Sequence, residues 1–251
     1  MVSVFDDSPD AYCAPDNEAL RAFATSVLAL IGDQGATTRG ASNMAMSEAQ
    51  CTLRASLRKL WADHVIWTRQ YIVAFASDGA DTGAAAGRLL KNQEHIGNAI
   101  VPFYGQAAGA QLTDLLKQHI LIAVDLLNAA KAGDNAEFGK QDERWSENAE
   151  QIATLLSGAN PYWPKRDVVD LLNVHLKLTK DEAVARLGAN WAADVAAWDD
   201  IFTEILTVSD TLADGIILQF PERFTTATTT STMASAEPAR RGLARIFARS
   251  R

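Results

Sequence analysis

One eight-residue pattern, met three times, constrains this chain more than any other feature. Leu57–His64 reads LRKLWADH, Leu112–His119 reads LTDLLKQH and Val168–His175 reads VVDLLNVH. Each copy places an aliphatic residue seven before the histidine, leucine four before it, Leu or Trp three before it, and Val, Ile or Leu directly after it. Apolar residues spaced by three and four mark one face of a helix. The histidines His64, His119 and His175 stand 55 and 56 residues apart, and a fixed period of this kind predicts a repeated supersecondary unit. The expected fold is therefore all-α: an antiparallel bundle of three helical hairpins, each about 55 residues long, plus an N-terminal helix.

The rest of the chain is read around that unit. Residues 1–15 are polar, contain two prolines and are expected to be flexible. Asp16 can cap a short helix over 16–32 with Leu20, Phe23, Val27, Leu30 and Ile31 on one side, and residues 33–47 form a linker of Gly, Ser, Thr and Asn. The helical repeat domain spans 48–221 and holds six principal helices. Pro102, Gly105 and Gly109 are expected to stop the second of them. Thr179–Glu182, reading TKDE, looks like a new capping sequence that splits the fifth in two. Residues 222–251, Thr-rich and then Arg-rich, cannot bury enough surface to fold alone and are expected to be disordered.

Charge and cysteine content narrow the function classes. Residues 1–221 carry 17 Lys/Arg against 29 Asp/Glu, and so acidic a body argues against a broad nucleic-acid face. Residues 222–251 carry six Arg and two Glu, which suits contact with an acidic partner or anionic lipid. Cys13 and Cys51 are too few for a disulfide framework, and Cys51 is expected as a reduced, partly buried thiol. The amino terminus lacks a basic region followed by an apolar run, and no stretch approaches 18 apolar residues. The expectation is a soluble, cytoplasmic protein without a transmembrane segment.

The histidines are the candidate site. Each stands where the stripe calls for an apolar residue, and a buried imidazole needs partners for its nitrogens. The structural reading has each ring tie two helices together. Asn92 and Asn148, 56 apart, are the matching second-helix companions, with Phe202 in register in the third unit; Glu94, Glu150 and Glu204 fall nearby on the flanks of their stripes. The alternative is metal. If the hairpins surround a common axis, His64, His119 and His175 form a three-imidazole site for a divalent transition metal. In an open solenoid they stand about 10 Å apart and share nothing. There is no Glu-x-x-His pair, no His-Glu-x-x-His, no Gly-x-Ser-x-Gly elbow and no phosphate loop, and His95 falls outside the pattern. The function expected is a helical binding or structural module for an unknown protein or small-molecule partner, without a cofactor. The competing class is a metal-binding protein or metal-dependent enzyme, and the sequence leaves open whether the chain is an enzyme at all.

The segments LWADHVIWTRQYI, RLLKNQEHIGNAIVPFYG, LLKQHILIAVDLLNAAKAGD and DEAVARL together resemble a family of small uncharacterised bacterial proteins, some labelled glycosyltransferase. The likeness covers roughly residues 55–224 and leaves both termini outside. It implies an all-helical soluble protein of bacterial type and brings no catalytic residues with it.

Overall fold

The computed structural model describes residues 46–225. The flexible terminus, the short helix over 16–32, nearly all of the linker and the tail beyond 225 lie outside the described residues. Among those described there are helices and no strand: α1 (Glu48–Ala76), α2 (Thr82–Ala132), α3 (Asn135–Ala159), α4 (Lys165–Leu187), α5 (Trp191–Gln219) and a 3₁₀ turn (Pro221–Arg223).

Local chemistry sets the boundaries. Ser47 opens α1 with a capping box: its Oγ accepts from Gln50 N at 3.2 Å, while its own N–H donates to Gln50 Oε1 at 2.9 Å. Two orphan donors of the first turn are thereby satisfied. Asp134 caps α3 by accepting from Glu137 N, and Asn190 caps α5 by accepting from Ala193 N. Gly133 closes α2 at φ 70, a left-handed conformation that costs glycine nothing.

The expected six helical segments are present, but the second and third meet at Gly105 with no loop between them and together form α2. Pro102 and Gly109 do not stop α2. The chain reverses at Gly105 alone, with φ 84 and ψ 168. In a straight helix Gly97 and Gly109 would stand about 18 Å apart along the axis. Instead, a Cβ built on Gly97 would meet Gly109 O at 2.5 Å and Thr113 Oγ1 at 1.9 Å. The two arms, 82–104 and 106–132, therefore fold back on each other and touch backbone to backbone.

Another difference concerns α4, which runs unbroken through Thr179–Glu182. Thr179 is buried and donates its hydroxyl to His175 O one turn back, at 2.9 Å. Glu182 is taken by Arg69 of α1 at 2.5 Å, so neither residue is free to cap. Arg69 also reaches Asp194 of α5 at 2.9 Å, and Arg186 meets the same carboxylate at 3.1 Å. Two cations and two buried acids thus tie α1, α4 and α5 together with their charges balanced.

α1 packs against α2 and α5, α3 against α2 and α4, and α4 against α5, which closes the helices around one core. Leu57, Trp61, Leu116, Trp145, Leu172 and Ile205 belong to a single buried cluster at its centre. Trp163 is a core residue. It is 1% exposed, lies over Gly215 where a Cβ would strike its indole, and donates to Thr211 O. Cys51 is buried on α1, 8% exposed. No helix among the described residues is long and apolar enough to cross a membrane.

Candidate metal centre

The stripes that bury Leu57, Leu112 and Val168 carry their histidines to one level of the core. His64, His119 and His175 are 3%, 4% and 4% exposed. Their ring centroids form a nearly regular triangle, 6.3 Å between His64 and His119, 5.7 Å between His64 and His175, and 6.2 Å between His119 and His175. One ligating nitrogen from each lies within 4.8 Å of the others. The open-solenoid arrangement is excluded by these distances.

Each imidazole is held from the following helix segment by the residue 29 positions on. His64 Nδ1 meets Gln93 Oε1 at 3.2 Å, His119 Nδ1 meets Asn148 Oδ1 at 3.0 Å, and His175 Nδ1 meets Glu204 Oε2 at 3.0 Å. The direction of these bonds follows from the amides' other ends. Asn148 Nδ2 donates to Leu115 O, and Gln93 Nε2 donates to Leu89 O and Asn92 Oδ1, so in both residues the oxygen faces the ring. An amide oxygen only accepts, and a carboxylate oxygen does the same. All three rings therefore carry the proton on Nδ1, and the lone pair is left on Nε2. None of the three Nε2 atoms takes part in a hydrogen bond among the described residues.

Protonation does not relieve the crowding. Burial pushes His119 down to about 3, with the neighbouring His175 adding to the fall. Burial also holds His64 well below the ordinary histidine range, with His175 and His119 reinforcing it. The apolar wall is close: Trp61 stands edge-on to His64 at 5.7 Å, and the Trp145 ring lies 5.0 Å from His119. Three buried imidazoles that converge in this way have the chemistry of a ligand set for a soft or borderline cation.

The second-helix companions sort differently from the sequence reading. Asn148 does both jobs expected of it, holding His119 and the Leu115 carbonyl. Asn92 holds only the equivalent carbonyl, of Leu60, and Gln93 beside it takes the histidine. Glu204 is a true companion, but Glu94 and Glu150 are not. Glu94 faces outward to Lys91 and Lys117, and exposed Glu150 pairs with Lys165. A helix turns about 100° per residue, so a flank position one residue away loses the ring altogether. His95 is exposed and stands apart from the cluster. Gln93 was missed as a partner, although the offset that links His119 to Asn148 also leads from His64 to it. No protein-family model, no curated protein and no solved structure matches the chain.

Proposed function

We propose that this chain is a metal-binding protein that holds one divalent transition-metal ion on Nε2 of His64, His119 and His175, inside a helical bundle. The observation that carries the reading is the outward use of all three Nδ1 atoms, which leaves three lone pairs in an apolar core. Three converging imidazole nitrogens suit a cation that all three can ligate together. A water molecule has two protons for three acceptors. A dication satisfies all three at once.

Glu204 supports the same reading. Its side chain is 8% exposed, and among the described residues its one partner is His175 and its buried Oε1 has none. A buried carboxylate with no Lys or Arg beside it calls for a positive charge nearby. A carboxylate–histidine–metal relay is a common way to hold a ligand's tautomer and raise its basicity. Zinc held tetrahedrally at about 2.0–2.1 Å would place its nitrogens roughly 3.4 Å apart, so loading draws the rings inward by about an ångström.

Elemental analysis of protein purified without a polyhistidine tag tests this. About one equivalent of zinc, copper, iron or nickel is expected, dropping below about 0.1 equivalent in each of H64A, H119A and H175A. A metal-free wild type that takes up no added zinc would leave the rings as helix clamps and the chain as a structural module. The likeness in offset of the three histidine–companion pairs also supports reading the bundle as three related units.

A further inference from the structure

Three protein ligands leave a metal with a position to fill, and the surroundings say what fills it. Two features of the structure bear on this. The first is charge: among the described residues in contact with the rings, Glu204 supplies the single negative group, the other two companions being neutral amides. A dication held here with Glu204 leaves one positive charge uncompensated in an apolar core, and a lone buried charge is strongly penalised. The second is Trp145. Its indole is 2% exposed and packs on the His119 ring, yet its Nε1 is buried with no hydrogen-bond partner.

Space exists beside it. An apolar cavity of about 30 Å³ is lined by Trp145 together with Thr68, Ile72, Ala123, Thr179 and Ala183. Thr68, Ala123 and Thr179 each stand one helical turn after a ligand histidine, so the cavity lies one turn along from the triad, with Trp145 reaching both the cavity and the His119 ring. The hydroxyls of Thr68 and Thr179 are spent on the carbonyls of His64 and His175. That leaves the indole N–H as the donor without a partner on this wall.

We infer that the fourth position of the His64–His119–His175 centre takes a small monovalent anion, of the size of hydroxide, a halide or azide, lodged against the Trp145 indole. The inference rests on the metal-binding reading. It adds that the loaded centre is electrically neutral only with such an anion, and that Trp145 Nε1 donates to it. Neutral ligands of the same size are disfavoured because they leave the surplus charge in place.

Cobalt(II) loaded into the full-length protein makes both layers visible. Binding of cobalt gives visible d–d bands, and titration with sodium azide near pH 7.5 is expected to shift them saturably with a stoichiometry of one. Trp145→Phe, checked by circular dichroism for its fold, is expected to weaken azide by about ten- to 150-fold through loss of one hydrogen bond to a charged group, with cobalt stoichiometry unchanged. Glu204→Gln, which raises the charge of the centre by one, is expected to tighten azide by about tenfold or more. Bands indifferent to azide up to about 100 mM, in a protein that holds one cobalt, would overturn the anion and leave the metal site standing; at such a concentration even a millimolar ligand saturates. A wild type that binds no cobalt would overturn both.

Discussion

At the residue scale, the companions decide more than the ligands do. A histidine contributes a nitrogen only if its ring is turned and its tautomer set, and here Gln93, Asn148 and Glu204 do both. Asn148→Ala is expected to keep one metal per chain at saturation but to weaken affinity by about 10–100-fold, measured by competition with a chromogenic chelator. Glu150→Ala, outward on the same helix and paired with Lys165, is expected to leave affinity within about twofold. Equal losses in the two variants would mean that the amide does not orient His119.

Backbone contact, rather than side-chain pattern, governs the element scale. α2 turns back on itself because Gly97 and Gly109 let its arms meet without intervening Cβ atoms. Gly97→Ala pushes a methyl into Gly109 O and Thr113, which is expected to cost about 2–4 kcal/mol in urea unfolding, in the range of overpacked cores. Gly87→Ala, on the same helix with nothing within 4 Å of its Cβ, is expected to stabilise by about 0.5–1 kcal/mol through a lower entropy cost. The pair separates the close approach from helix propensity: two variants shifted in the same direction would count against the hairpin at Gly105.

For the whole molecule, the buried rings make stability depend on acidity. His64 is held well below its ordinary range and His119 falls to about 3, so between about pH 6.5 and pH 3 the unfolded chain takes protons that the folded chain refuses. Stability of the metal-free protein is thus complete above about pH 6.5 and is lost as pH falls, at up to about 1.4 kcal/mol per pH unit for each ring. Burial pushes Glu182 up to about 7, a shift whose linkage has the opposite sign and favours the fold at lower pH. Comparing urea midpoints of wild type and His119→Asn at pH 7.5 and pH 5 cancels Glu182. A smaller acid loss in the variant is the expected result, and identical losses would place His119 in contact with water. Adding zinc at about a thousandfold above its dissociation constant is expected to stabilise wild type by about 4 kcal/mol at pH 7.5, and the triple alanine variant by nothing.

Several of these features were already present in the linear order of residues. The three stripes made the chain all-helical and put a histidine at the same depth in each, because a helix repeats its face every 3.6 residues whatever it packs against. Ser47 and Asn148 could likewise be read as cap and companion from local spacing alone. Other features depended on distance in space. Gly105 as the lone reversal, Glu182 drawn to Arg69 instead of capping, and Trp163 packed over Gly215 all follow from partners more than fifty residues away or from backbones in contact. Convergence of His64, His119 and His175 belongs to that second class. An open stack and a closed bundle bury the same stripes, so hydrophobic pattern is indifferent between them. Only the closure of α5 onto α1 brings the three lone pairs to one point.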